Sequence, residues 1–192
     1  MKPDRLNAFT DGVIAIIITI MVLELRVPEG SGLAALRPVL PILAAYVLSF
    51  IYVGIYWNNH HHMMQTARRV DGRVLWSNLA LLFWLSLFPF VIRWADERGM
   101  TGFPVAAFGL VLLMAAVSYL ILEKALIAAE GKESAVGKAV GSNFKEWLSM
   151  ALYAAGIAAA LLLSPLVAIA LYIAVAAMWL IPDRRFERRL QR

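Results

Sequence analysis

The residues of this chain that are best suited to chemistry lie at the ends of apolar segments. The second segment ends in IYWNNHHHMM, which supplies Trp57 and three adjacent histidines, His60, His61 and His62. Adjacent residues of a helix point about 100° apart, whereas a zinc site takes spaced ligands that converge on one point. Zinc binding is therefore the minor interpretation, and histidines that form hydrogen bonds near the membrane surface are favoured.

Further polar residues are expected at the same depth. Asn58 and Asn59 precede the histidines, and the third segment begins RVLWSN, which contributes Trp76, Ser77 and Asn78. Together these side chains form a polar and aromatic cluster at one end of the predicted bundle.

Two carboxylates bound the first apolar segment. Only twelve uncharged residues separate Asp11 from Glu24. Twelve helical residues span about 18 Å, which is less than the roughly 30 Å of a bilayer's hydrocarbon core. Both carboxylates are therefore expected near or inside the edges of the membrane.

The composition indicates a membrane protein of one domain. Hydrophobic residues make up 61% of the 192 residues and charged residues 16%, against about 45–50% and about 25% in soluble domains. The absence of cysteine excludes a disulfide framework, a thiol nucleophile and a thiolate metal site. The first segment holds Asp11, lacks a small-residue cleavage site and precedes further apolar segments, so we interpret it as mature protein rather than a signal peptide.

We predict an all-α polytopic domain over residues 1–192 with six transmembrane helices. They are expected at about 6–27, 38–64, 74–94, 103–126, 148–163 and 166–181. The last two are separated at Ser164-Pro165, because proline removes a helical hydrogen bond and disfavours helix at the preceding residue. Pro89 is the candidate kink in the third helix.

The basic residues predict the orientation. All but four of the 18 Lys and Arg residues fall on one side of the predicted membrane, at the two termini and in the second-to-third and fourth-to-fifth connections. The exceptions are Arg26, Arg37, Arg93 and Arg98. The positive-inside rule therefore predicts a multi-pass cell-membrane protein with both termini in the cytoplasm. The net charge of +5 needs no nucleic acid, since the basic tail RRFERRLQR is expected to face anionic lipid.

One apolar stripe runs along the first helix. At about 100° per residue, Ile16, Ile20 and Leu23 project at about 0°, 40° and 340°. Phe9 shares this stripe, and Thr19 lies about 60° from it. Taken alone, the stripe favours ordinary packing against a neighbouring helix.

The two carboxylates that bound the first segment, Asp11 and Glu24, are not part of this stripe. Asp11 lies about 140° from Ile16 and is predicted to be buried against another helix of its own chain, with Arg5 or the polar ends of the second and third helices as partners. Glu24 leaves two alternatives open. It is free to attract cations, or it pairs with Arg26 or another loop base.

These residues carry a resemblance to a known family. The pattern at Arg5, Phe9, Thr10 and Asp11 resembles the signature R-x-x-x-F-[ST]-D of the endolysosomal potassium channel family, transmembrane protein 175, and its prokaryotic relatives. SFIYVGIYWNNHH is similar to the family's S-F-x-x-x-x-x-x-W-x-x-H-H, and VLWSNLALLFWLSLFPF to its W-x-N…P-F stretch. The resemblance covers roughly the first half of the chain. Thr10 replaces the commoner Ser, and His62 extends the usual pair.

The resemblance implies a homotetrameric, potassium-permeable cation channel whose first helices line a central pore. The positions of the family's constriction match Ile16, Ile20 and Leu23, with Thr19 beside them and Glu24 near the outer mouth. The bracing network of the first helix is assigned to Arg5, Phe9, Thr10, Asp11, Trp57, His60, His61 and Asn78.

An apolar constriction is expected to favour potassium modestly, because potassium loses its hydration shell more easily than sodium. The predicted partners are membrane lipid, further copies of the chain and monovalent cations, with no cofactor and no enzymatic activity. The alternative is a secondary transporter, or a non-conducting membrane protein with a His/Asn/Asp cluster on its cytoplasmic side. Transporters more often show inverted repeats and helices broken in mid-membrane.

Overall fold

The computed structural model describes residues 3–131, 134 and 143–180, and the regular structure of those residues is entirely helical. Lys2, Lys132, Lys138 and the basic tail, which contribute to the predicted orientation, lie outside the described residues. The elements are α1 (Pro3–Leu23), a 3-10 helix (Leu33–Val39), α2 (Leu40–Thr66), α3 (Gly72–Ser86), α4 (Phe88–Arg98), α5 (Gly102–Glu130), α6 (Phe144–Leu162) and α7 (Pro165–Leu180).

The long apolar helices are suited to a membrane. Within the described residues, five segments are long and apolar enough to cross one, when the 3-10 helix is counted with α2 and α3 is counted with α4. The helix α7 is apolar but shorter, at 16 residues.

The predicted third helix is interrupted at Leu87. Pro89 lies in the first turn of α4 and has no N–H, so the regular hydrogen-bond ladder cannot run through this point. The N–H of Leu87 instead bonds to the carbonyl of Trp84 at 3.2 Å, three residues back. The chain then continues as α4 as far as Arg98, and the two pieces act as one span of 27 residues.

The helix α1 ends at Leu23, four residues before the predicted end. Beyond it, Arg26 Nε lies 2.5 Å from Asp96 Oδ2 on α4, and Pro28 disfavours helix at the preceding residue. Val27 is 87% exposed and lies outside the helix, so it does not extend the stripe of α1.

The helix α5 packs against α3, α4, α6 and α7, whereas α1 packs against α2, α3 and α4. Tyr172 of α7 is fully buried where α5, α6 and α7 meet. Its ring lies against Gly109 of α5 and Gly156 of α6, and its hydroxyl donates to the carbonyl of Val105 at 3.4 Å. Small residues let membrane helices approach closely, and here they make room for one large aromatic ring.

Replacing Gly109 with Ala is expected to destabilise the bundle, because the added Cβ would overlap the Tyr172 hydroxyl and ring. Overpacking of this kind costs about 1–3 kcal/mol, and we expect a lower thermal midpoint of the purified protein in detergent. The control is Gly54→Ala in α2, where the added Cβ meets no heavy atom of the described chain within 4 Å. Equal midpoints for the two variants would contradict the close packing of Tyr172.

Candidate functional site

A buried chain of hydrogen bonds links α1, α3 and α2. Asn78 Nδ2 donates to Thr10 Oγ1 at 2.9 Å, and Asn78 Oδ1 lies 2.8 Å from His60 Nε2. Since the Asn78 carbonyl can only accept, His60 Nε2 is the donor in this contact. Thr10 and Asn78 are 0% exposed and His60 is 1% exposed. Asn78 of α3 therefore joins Thr10 of α1 to His60 of α2 through specific polar atoms.

A second contact holds Asp11 next to this chain. Trp57 Nε1 donates to Asp11 Oδ1 at 2.8 Å. The Trp57 ring also stacks on His61, with 5.7 Å between ring centroids and 23° between planes, and His61 Nε2 lies 2.8 Å from Gln65 Nε2. Asp11 is half-buried, whereas Arg5 is exposed and forms no ion pair with the part of the chain that the structure describes. Of the two candidate partners of Asp11, α2 supplies the contact.

Of the remaining residues of the predicted cluster, His62 packs edge-on against the His61 ring, with 6.1 Å between ring centroids, whereas Asn59, Ser77 and Trp76 do not join these contacts. Asn59 and Ser77 each bond a backbone carbonyl of their own helix, those of Ile55 at 2.9 Å and Arg73 at 2.8 Å. Trp76 is 74% exposed. Among the described residues, no group of three His, Asp or Glu side chains is arranged to hold a metal ion.

The helix α1 has one covered face and one uncovered face. The covered face consists of Leu6, Thr10, Ile14, Ile17 and Met21. On the uncovered face, Ile16 is 58% exposed, Ile20 41% and Leu23 79%, and Phe9 shares this face at 51%. The apolar stripe of α1 is therefore left uncovered by its own chain.

Thr19 lies beside this stripe. Its hydroxyl donates to the carbonyl of Ile16 at 2.9 Å, within the same helix. This bond uses the only proton of the hydroxyl, so the oxygen lone pairs are available on the exposed side of α1.

Ion pairs hold the C-terminal end of α1. Glu24 Oε2 lies 3.2 Å from the guanidinium of Arg93 on α4, and Arg93 Nε bonds Glu97 at 2.9 Å. Glu24 thus pairs with a base on α4, whereas Arg26 pairs with Asp96. The sequence did not identify Arg93 as the partner of Glu24. The signal that could have indicated it is the charged run RWADER, at the same end of the bundle.

Known proteins resemble this chain over its whole length. The family described as endosomal/lysosomal potassium channel TMEM175 matches residues 5–89. A potassium channel of Chryseobacterium sp. is 53% identical over 191 residues, covering 100% of this chain and 99% of that protein. A potassium channel of Streptomyces collinus is 33% identical over 123 residues, or 60% of each protein.

A solved structure has the same fold. It is the crystal structure of a lysosomal potassium-selective channel TMEM175 homolog from Chamaesiphon minutus. It aligns with a TM-score of 0.76 and 24% identity over 93% of this chain and 96% of that chain.

Replacing Asn78 with Ala is expected to weaken the association of α1 with α2 and α3. The change leaves Thr10 Oγ1 and His60 Nε2 without their buried partner. Unpaired buried groups cost about 1–3 kcal/mol each, although polar contacts between membrane helices average only about 0.6 kcal/mol. We therefore expect a total loss of about 1–3 kcal/mol, measured as a lower thermal midpoint. Asn58→Ala, at an exposed position of α2, is the matched control, and equal midpoints for the two variants would contradict this role of Asn78.

Proposed function

Because this chain belongs to the TMEM175 family of potassium channels, we propose that it conducts potassium through a central pore lined by α1 of four copies. The family consists of channels rather than enzymes and uses permeant ions rather than a cofactor. The observation that carries the proposal is the apolar stripe of Ile16, Ile20 and Leu23, which its own chain leaves uncovered.

The stripe acts as the constriction. One α1 cannot enclose a pore, whereas four related by symmetry bring the same side chains together in rings. An apolar ring passes an ion only when the ion loses much of its hydration shell, or when the ring widens and fills with water. Since potassium holds its water less tightly than sodium, this mechanism gives a modest preference for potassium. The oxygen of Thr19 supplies a polar contact beside the narrowest level.

The bracing residues keep the stripe aimed at the pore axis. Support comes from the Thr10–Asn78 and Asp11–Trp57 contacts, both of which are made by α1 away from the stripe. His60 holds Asn78 in place, and His61 stacks on the Trp57 ring. A rotation of α1 about its axis would break these contacts, so the proposed role of the network is to set that rotation.

Phe9 and Arg5 are assigned to a different part of the bracing network. Both are exposed on the isolated chain, at the inner end of α1. We assign them to contacts with neighbouring copies, which would complete the bracing network in the assembly.

Glu24 is assigned a positional role. Its ion pair with Arg93 favours this role over that of a free anion at the pore mouth, because the guanidinium neutralises much of the carboxylate's field. The pair ties the outer end of the pore helix to α4 of the same chain.

The proposed location is the cell membrane, with both termini in the cytoplasm. The support is the concentration of Lys and Arg at the termini and in two connections on one side. In this orientation the bracing network lies near the cytoplasm and the Glu24–Arg93 pair near the outer surface.

The assembly is expected to contain four chains. Native mass spectrometry of the protein in mild detergent should show the mass of a tetramer as the main species. If the protein conducts potassium in liposomes but only the monomer is found, a pore between copies is excluded.

Replacing Ile16 with Asn is expected to raise the cation current and lower the permeability ratio of potassium to sodium. Four amide side chains would replace an apolar ring and offer oxygens in place of lost water, which helps sodium more than potassium. The measurement is the bi-ionic reversal potential in planar bilayers.

Ile18→Asn is the control for this variant. Ile18 projects about 160° from Ile16 and packs against the core of its own chain. Its replacement is expected to lower the thermal midpoint and leave the permeability ratio unchanged. If Ile18→Asn shifts the reversal potential and Ile16→Asn does not, Ile16 is a packing residue.

A further inference from the structure

An apolar cavity of about 400 Å³ lies between α2, α4, α5 and α7, at the end of the bundle where α1 ends. Its floor is buried and includes Ile92 of α4, Val105 of α5 and Tyr172 of α7. Its rim is exposed and is formed by residues such as Ala44 of α2 and Leu166 of α7. The cavity therefore opens sideways, between α2 and α7, on the surface that faces hydrocarbon in a membrane.

Water is not a suitable occupant. A buried water needs two to four polar partners, and the cavity walls are almost entirely hydrocarbon. The hydroxyl of Tyr172, the one polar side-chain group in the lining, already donates to the carbonyl of Val105. The volume falls within the roughly 300–1,000 Å³ of ligand pockets, so the geometry suits an apolar chain.

Two arginines beside the segments that line the cavity have no ion pair among the described residues. Of the four arginines at this end, Arg26 and Arg93 are paired with carboxylates. Arg37 and Arg98 are exposed and form no ion pair with the described part of the chain. Arg37 lies about one helical turn before Pro41, and Arg98 lies two residues before Met100, and both Pro41 and Met100 line the cavity. Both arginines therefore belong to segments that border the cavity, at the end of the bundle where an anionic group attached to an apolar chain would lie.

We propose that this cavity binds one acyl chain of an anionic phospholipid, with the phosphate group held by Arg37 and Arg98. Arginine suits this task, since its planar guanidinium donates two parallel hydrogen bonds to phosphate oxygens. In the orientation proposed above, the lipid belongs to the outer leaflet. The site does not include α1, so it is separate from the conduction pathway.

The test is native mass spectrometry of delipidated protein with equimolar dioleoyl phosphatidylglycerol and dioleoyl phosphatidylcholine. These lipids carry identical acyl chains, so any preference reports the headgroup. The parent is expected to retain phosphatidylglycerol at least five-fold more than phosphatidylcholine. Replacing both arginines, Arg37→Gln with Arg98→Gln, should bring this preference close to one.

Filling the cavity tests the acyl-chain half of the proposal. Ala45 is half-buried and lines the cavity, so Ala45→Phe should reduce the retention of both lipids at least five-fold. Ala154→Phe, which adds the same ring at an exposed position of α6, is the matched control and should retain lipid like the parent. Thermal midpoints and potassium flux of each variant show that it is folded and conducting.

Three outcomes would overturn the proposal. Equal retention of both lipids by the parent removes the role of the arginines. Unchanged retention in Ala45→Phe places the lipid outside the cavity. A change of oligomeric mass in Ala45→Phe shows that a neighbouring copy covers the cavity. A parent that retains phosphatidylglycerol but shows no potassium flux would contradict the channel proposal alone.

Discussion

A polar side chain inside a membrane has no water to bind, so it must find its partner within the protein, either in its own helix or on another one. Asn78 is subject to this constraint more than any other residue described, because both of its amide atoms are bonded and the side chain is fully buried. Its two bonds require Thr10 and His60 at one level and at fixed angles. We propose that this requirement sets the rotation of α1 about its axis. With Thr10 facing inward, the apolar stripe of α1 is left uncovered by its own chain.

The C-terminal end of α1 is held by ion pairs rather than by buried hydrogen bonds. There the chain leaves the helix at Leu23, and Glu24 and Arg26 meet Arg93 and Asp96 of α4 through ion pairs. Exposed ion pairs contribute little stability, typically about 0–1 kcal/mol. They position the end of the helix more than they stabilise it. The helix is therefore held by buried hydrogen bonds near its N-terminal end and by ion pairs at its C-terminal end, with the apolar stripe between them.

Small residues have two opposite consequences in this bundle. Where Gly109 and Gly156 face Tyr172, the ring fills the space and the helices pack closely. Where Ala44 and Ala45 of α2 line the gap between α2 and α7, the gap is not filled and is left as a cavity. Small residues thus give tight packing in one place and an open cavity in another, depending on what lies opposite.

The sequence alone was sufficient for the helical segments and the family, because a membrane-crossing helix needs a local run of apolar residues and the motif around Asp11 is contiguous. It also placed Ile16, Ile20 and Leu23 on one stripe, since a helical projection depends only on spacing. Pro89 also marked the interruption of the third helix at Leu87, whereas the end of α1 at Leu23 falls four residues before the predicted end. Only the tertiary structure decided that Asp11 meets Trp57 while Thr10 meets Asn78, and that Glu24 pairs with Arg93. These partners are 46, 68 and 69 residues apart. Their contacts depend on the relative height and rotation of separate helices, which no local pattern of residues contains.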